Sequence, residues 1–258
     1  MKKLVIALAA AAAFSAPAFA ADMAAKAPRV AAVPAPVASW TGCYIGAGGG
    51  GAYTNNDHNE IVTATGLPRS FNETSGARGW FGTVGAGCDY QFDRFVVGVF
   101  GDYDFMDVRG DIGFDGVNIV RGVGSQKQDY QWAVGGRVGY LITPQLLTYF
   151  SGGYTEGHWK GTSFTQLGAA APLWSMPGFT RGGWFIGAGD EYALGFLPGL
   201  FWKTEYRYSE FDRVNVGVNL AATGLPTGIQ MTEKLREHSI RSELVYRFNW
   251  GGPVVAKY

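Results

Sequence analysis

The residues of this sequence best suited to acid–base chemistry are its three histidines, His58, His158 and His238. A histidine beside a carboxylate and a hydroxyl can activate that hydroxyl as a nucleophile, as hydrolases and acyltransferases do. Asp102, Asp104 and Ser239 could complete such a group, but no characteristic spacing links them to a histidine. His158 and His238 also lack the spacing of metal ligands. We therefore predict no catalytic residue, metal or cofactor, and a lipid-modifying enzyme or protease remains the alternative.

Charged residues recur at every second position of several otherwise apolar segments. In residues 201–208, for example, Lys203, Glu205 and Arg207 alternate with apolar, aromatic or hydroxyl side chains. With Asp89 included, acids and bases nearly balance on this charged face, as a packed interior requires, because buried charges must be paired. Ten charged residues are predicted to form this interior network: Asp102, Asp104, Arg137, Glu191, Lys203, Glu205, Arg207, Arg241, Glu243 and Arg247.

A charged interior of this kind allows two functional interpretations. If the turns set a simple register, Arg207 faces Glu243, Lys203 faces Glu191, and Glu205 lies diagonal to Arg247. If these segments are the strands of an eight-stranded barrel, its interior is narrow enough for side chains to fill, which predicts a plug. The alternative is a narrow pore for small solutes, lined by the same groups.

Cys43 and Cys88 are the only cysteines. Cysteines of exported proteins often form disulfides. These two fall at similar depths on neighbouring predicted strands, both on the apolar face, so a bridge is possible. The alternative is that they are two small residues beside lipid, because cross-strand disulfide geometry is demanding.

The elements that must position these residues are β-strands, because apolar and small or polar residues alternate. In residues 130–140 the even positions are mostly apolar or aromatic, whereas the odd positions carry small, polar or charged side chains. Since strand side chains alternate between faces, each segment contacts two different environments. Eight such segments are predicted, at residues 40–53, 78–92, 95–108, 129–142, 146–159, 182–194, 200–211 and 238–250.

The connections between these segments alternate between short turns and long polar loops. The long loops are predicted at residues 54–77, 109–128, 160–181 and 212–237. Short turns on one side and long loops on the other are typical of transmembrane barrels. The predicted fold is therefore all-β: an eight-stranded antiparallel up-and-down barrel of the outer membrane, with both termini in the periplasm.

A soluble lipocalin-type barrel is the alternative, with apolar residues inside and charges outside. The strands offer almost no lysine besides Lys203, and their aromatic residues gather at both ends, as in the interfacial girdles of membrane barrels. Both features favour the membrane interpretation. The predicted girdles comprise Tyr90, Phe92, Tyr140, Tyr192, Trp202 and Trp250 at the short-turn ends, and Trp80, Tyr103, Phe105, Tyr130, Trp132, Trp159, Trp184 and Tyr208 at the other ends.

The overall composition excludes several other classes of protein. Glycine accounts for 39 of 258 residues and charged residues for 16%, against a typical share of about 25% for charged residues. After the first 20 residues no apolar run reaches the roughly 20 residues of a membrane helix. The formal net charge is zero, so the basic footprint of a nucleic-acid-binding protein is missing.

The first 20 residues predict export through a Sec-type signal peptide. Lys2 and Lys3 precede an apolar stretch, and a small-x-small site ends at Ala20, after which cleavage is expected. Residues 21–39 are rich in alanine and proline, which favours an extended periplasmic tether. The barrel is then expected over residues 40–250, with a periplasmic tail at 251–258.

Four short stretches resemble a known family. Residues 40–47 (WTGCYIGA), 183–189 (GWFIGAG), 203–208 (KTEYRY) and 245–250 (VYRFNW) are similar to strands of the porin-like outer-membrane β-barrel proteins of Gram-negative bacteria. This is the outer membrane immunogenic protein group, with an OmpA/OmpW-like barrel domain. The resemblance implies a structural, surface-exposed protein of the outer membrane that supports envelope integrity and surface interactions. The sequence leaves its oligomeric state open, with a monomer favoured.

The resemblance also implies partners and a role for the last strand. The expected partners are outer-membrane lipids and lipopolysaccharide, and during biogenesis the barrel-assembly machinery and periplasmic chaperones. Tyr246 and Phe248 match the aromatic positions of the terminal assembly signal. Glu243 stands where that signal commonly has glycine. The alternative is that Tyr246 and Phe248 are ordinary lipid-facing residues. Asp190 departs from the family pattern, since it shares the phase of lipid-facing residues unless a bulge turns it inward.

Overall fold

The computed structural model describes residues 39–115 and 121–248, and within them it contains eleven strands and no helix. In these two ranges, no helix that is long and apolar enough to cross a membrane occurs. The strands are β1 Gly42–Val62, β2 Glu73–Phe92, β3 Phe95–Asp115, β4 Arg121–Thr143, β5 Leu146–Trp159, β6 Thr162–Gln166, β7 Trp174–Met176, β8 Phe179–Ala193, β9 Leu200–Phe211, β10 Val214–Leu220 and β11 Pro226–Phe248. The predicted signal peptide, its cleavage at Ala20, the tether except Ser39, and the tail lie outside the described residues.

Eight of these strands form a closed antiparallel ring in the order β1-β2-β3-β4-β5-β8-β9-β11. The ring closes because β11 pairs with β1 from Cys43 opposite Phe248 to Val62 opposite Ile229. Closure leaves no strand edge with unpaired backbone groups, which a structure in lipid requires. The predicted eight-stranded fold is confirmed.

A second closed ring continues the first on the side away from the short turns. Strands β5, β8 and β9 end there, and β6, β7 and β10 take their places. β6 pairs with β4 and β7, and β10 pairs with β7 and β11. Five long strands, β1–β4 and β11, therefore run through both rings.

The prediction of four long loops was wrong for most of their residues. Strands occupy much of the ranges 54–77, 109–128, 160–181 and 212–237. Alternation continues there, with Ile112 and Phe114 buried inside and polar residues such as Arg109 outside. Because the outer face there is polar rather than apolar, the sequence has the overall polarity of a loop.

The outer face of the first ring is apolar. Its side chains include Val99 and Phe150, which are 66% and 68% exposed. On β1 this face runs from Ile45 to Tyr53 and on β11 from His238 to Phe248, which defines the membrane-spanning part. The lipocalin alternative is wrong, because its outer face would be charged.

Trp159 and Asp190 lie near the two ends of the first ring. The prediction that Trp159 belongs to an aromatic girdle is wrong. Trp159 is buried inside the barrel and stacks on Phe179 at a ring distance of 5.3 Å. It points inward because it shares the phase of inward residues such as Leu147. Asp190 stays on the outer face in an unbroken register and accepts a hydrogen bond from the Thr148 hydroxyl. Trp250 lies outside the described residues.

Candidate functional site

The candidate site is the interior of the first ring, where all ten predicted charged residues are buried. Each lies on a strand whose alternation directs it inward, so five strands, β3, β4, β8, β9 and β11, place their charges in one narrow space. Asp89, which belongs to the same charged face, is buried there as well, because its phase on β2 also directs it inward.

At the short-turn end, two arginines and two acids form a closed cluster. Arg247 contacts Glu191 at 2.7 Å and Asp89 at 2.7 Å. Arg137 contacts Glu191 at 2.8 Å and also pairs with Asp89. Each arginine thus bridges the same two carboxylates, so these four buried charges compensate one another.

In the middle of the ring, Arg207 holds two acids. Its guanidinium donates to both carboxylate oxygens of Asp102 at 2.8 and 2.9 Å, and to Glu205 at 2.8 Å. The two parallel bonds to Asp102 form a bidentate pair, the stronger geometry for arginine and carboxylate. The same guanidinium lies 4.3 Å from the ring centroid of Phe185, a cation–π contact. Arg207 is therefore fixed on several sides.

Arg241 contacts Asp104 at 2.9 Å and Asp102 at 3.2 Å. Asp102 therefore connects Arg207 to Arg241 across the interior. Lys203 pairs with Glu243 at 2.9 Å. Charges from opposite walls of the ring are thereby joined into one network.

Part of the predicted pairing was wrong. Arg207 lies opposite Ser239 on β11 rather than opposite Glu243, and Glu205 lies opposite Arg241. Lys203 lies opposite Glu191 on β8 but forms its ion pair with Glu243 on β11. The register between β9 and β11 depends on the long connection between them, which also contains β10, so it could not be counted from a short turn.

Aromatic residues seal the short-turn end of the interior. Trp40 is fully buried, its indole donates to the carbonyl of Pro144 at 3.2 Å, and Arg247 lies 5.0 Å from its ring. Trp40 was predicted as the first residue of the barrel, but this sealing role was not. Eight buried residues form this apolar layer: Trp40, Tyr44, Val96, Leu141, Leu147, Tyr149, Phe201 and Val245.

A second apolar layer fills the second ring, far from the short turns. It comprises Ile112, Phe114, Phe164, Trp174, Met176, Val216, Val218, Ile229 and Met231. Sequence reasoning missed this layer because it assigned these residues to loops. The charged network therefore lies between two apolar layers.

A layer of neutral polar side chains separates the network from the outer apolar layer. Glu233 accepts hydrogen bonds there from Gln126 at 2.7 Å and from Asn56 at 3.2 Å. It lies five residues beyond the belt residue His238, outside the membrane-spanning part. Burial without a basic partner raises the pKa of the Glu233 carboxyl to about 7, although the two amide hydrogen bonds oppose this shift.

The remaining predicted site residues lie on the outer face near the short turns. Cys43 and Cys88 are directly opposite in the β1–β2 register and are joined, with an Sγ–Sγ distance of 2.06 Å. Tyr246 and Phe248 are exposed, and their rings meet edge to face at 5.4 Å. Both features face lipid rather than the interior.

The possible catalytic groupings do not come together. His238 faces outward and contacts the Tyr206 hydroxyl at 2.6 Å, whereas its neighbour Ser239 points into the interior. His158 lies on the outer face, 2.5 Å from Asp129, while Asp102 is held by arginines. Within residues 39–115 and 121–248, no three potential ligands are grouped so that they could hold a metal.

A closed antiparallel ring with an apolar outer belt and a charged interior defines an integral outer-membrane β-barrel. Compared with the models of known protein families, residues 6–248 match the outer membrane protein beta-barrel domain. The chain belongs to this family. Its location is therefore the outer membrane.

Similar proteins of other bacteria agree with this assignment. The chain is 32% identical over 255 residues to the 31 kDa outer-membrane immunogenic protein of Brucella melitensis, covering 95% of this chain and all of the relative. It is 30% identical to the 25 kDa outer-membrane immunogenic protein of Brucella canis, over 96% of this chain and 99% of that one. The outer membrane protein OprG of Pseudomonas aeruginosa shares the fold, with a TM-score of 0.50 and 13% identity over 83% of this chain and 100% of that chain.

Proposed function

We propose that this protein is a structural, surface-exposed barrel with a closed interior, which supports envelope integrity and surface contacts and performs no catalytic step. The observation that carries the proposal is the layered interior. Apolar residues fill both ends, and the Arg207–Asp102–Arg241 network joins the walls between them.

Opening the interior would require free energy to break its buried ion pairs. A buried charge that loses its partner costs about 3–5 kcal/mol. A hydrated path along the axis would have to displace several such contacts and then cross two apolar layers. The interior therefore supports a plug rather than a narrow pore.

Single-channel recording in planar bilayers tests the closed interior. The full chain, with insertion verified by heat-modifiable electrophoretic migration, is expected to give no steady openings, while a porin reconstituted in parallel gives its usual steps. Steady large openings by the folded protein would contradict the proposal and favour the narrow pore. Liposome swelling with small sugars provides the second measurement.

Epitope insertion tests surface exposure. A short tag after Gly66, in the exposed connection between β1 and β2, is expected to bind antibody on intact cells. The matched control is the same tag after Gly195, in a short turn, where antibody should bind only after permeabilisation. Both glycines have open space around them, so the two insertions should be tolerated equally. Labelling in the reverse pattern would invert the proposed orientation.

A further inference from the structure

A row of basic residues crosses three neighbouring strands just outside the apolar belt. Arg78 on β2 lies opposite Arg109 on β3, which lies opposite Lys127 on β4. All three are on the outer face, and Arg78 and Arg109 are exposed. Like charges directly opposite each other destabilise a sheet. A negative charge beside this row would therefore stabilise it by reducing the repulsion between its basic side chains.

The protein supplies only part of that charge. Asp107 accepts from Arg109 at 2.8 Å and from Lys127 at 2.7 Å. Arg78 makes no ion pair with any residue of the described ranges. Three bases thus share one acid, which leaves a positive surplus centred on Arg78.

Bases at a similar height on β11 are matched, in contrast to Arg78. Arg236 contacts Asp57 at 2.6 Å, and Lys234 contacts Glu210 at 2.9 Å. Along β11 and its neighbours, positive and negative side chains therefore pair within the sheet. The sector from β2 to β4 differs in leaving positive charge uncompensated.

A groove of about 640 Å³ opens on the outer face directly beside Arg78, between β11, β1 and β2. Tyr53, Tyr206 and His238 line it near Arg78, and Ile240 lines it deeper in the belt. Its floor includes Gly51, where an added Cβ would meet its nearest atom only at 3.7 Å. The groove therefore lies in the apolar belt, and its polar end lies at the interface, beside the basic row.

We propose that this groove and the basic row form a binding site for a phosphorylated, acylated lipid of the outer leaflet, such as lipid A. One acyl chain packs over Gly51 and along Ile240, and a phosphate group lies between Arg78 and Arg109. Arginine suits phosphate because its planar fork donates two parallel hydrogen bonds. The site is on the outer face, so it is independent of whether the interior conducts.

Native mass spectrometry of the full chain in detergent tests the charge requirement. The probes are diphosphoryl lipid A and the same lipid with both phosphates removed. The double variant R78Q/R109Q is expected to bind the phosphorylated probe at least about tenfold more weakly, given that each 1.4 kcal/mol is tenfold. The matched control is R121Q, an exposed arginine further out that pairs with Glu73 at 2.6 Å, which should change binding less than twofold.

The groove is tested by filling it. Gly51→Leu should weaken binding of the phosphorylated probe without changing any charge. Gly136→Leu is the matched control, since Gly136 lies on the outer face of β4, outside this groove, with its nearest neighbour at 3.5 Å. Heat-modifiable migration checks that every variant is folded, and R78Q alone replaces the double variant if that one does not fold.

Two results would overturn the proposal. One is equal binding of the phosphorylated and dephosphorylated lipids, or wild-type binding by folded R78Q/R109Q, which would exclude phosphate recognition here. The other is unchanged binding by Gly51→Leu, which would exclude the groove. Either result leaves the closed-interior proposal intact, because that proposal is decided by conductance.

Discussion

Replacing Arg207 by methionine removes the central cation of the interior network while keeping an unbranched side chain of similar length. Arg207 is fully buried and contacts Asp102 and Glu205. After the substitution, Asp102 keeps Arg241 at 3.2 Å, and Glu205 keeps the Tyr149 hydroxyl at 2.9 Å. Asp102 thus stays paired with a base, whereas Glu205 loses its closest cation.

The expected loss follows from this difference. Removing one partner of a buried pair costs about 3–5 kcal/mol. Because Asp102 retains a cation, we expect a loss near 3 kcal/mol in the free energy of unfolding. The double variant R207M/E205Q also removes the orphaned charge of Glu205. It should therefore recover part of that loss and be more stable than R207M alone.

Urea unfolding of the full chain in detergent micelles, followed by tryptophan fluorescence and by electrophoretic migration, measures these changes. R121M is the control, because Arg121 and Glu73 form an exposed pair, which is worth about 0–1 kcal/mol. A loss below about 1 kcal/mol for R207M, or a double variant no more stable than R207M, would refute the reasoning.

Two further predictions concern other parts of the barrel. Without reductant, Cys43 and Cys88 should resist thiol labelling of the unfolded chain and become labelled after reduction; two labelled thiols without reductant would contradict the bridge. Glu233 should make stability fall as pH rises, because its folded-state pKa is about 7 against 4.5 as the ordinary value. Below about pH 4.5 both the folded and the unfolded state hold the proton, whereas between about pH 4.5 and pH 7 only the folded state does. The free energy of unfolding therefore falls by about 3 kcal/mol by pH 8. Glu233→Gln should flatten this slope between pH 5 and pH 8 in urea titrations, and parallel curves for the two proteins would show that Glu233 is not responsible.

The eight strands of the first ring and the facing of their charged residues could be predicted from the sequence. Alternation is local, so each segment shows its two faces without knowledge of its neighbours. The same rule would have placed Trp159 inside, since it follows the phase of its strand. That error came from incomplete use of a signal that was present.

The second ring was harder to predict. Its strands have polar outer positions because water rather than lipid surrounds them, and β6 and β7 contain only five and three residues. The apolar inner positions, such as Phe164 and Trp174, carried the signal. Short strands between polar residues nevertheless resemble loops until their pairing partners are known.

The sequence by itself determined the membrane-barrel class, the eight-stranded ring and the set of side chains that face inward, because all three follow from periodicity two and the alternation of connection lengths. The tertiary structure decided which charges meet, how the interior is closed, and where a basic row lies beside a groove. These depend on register between strands far apart in the chain. Arg207 reaches Asp102 across 105 positions of sequence, and no local pattern specifies a contact at that distance.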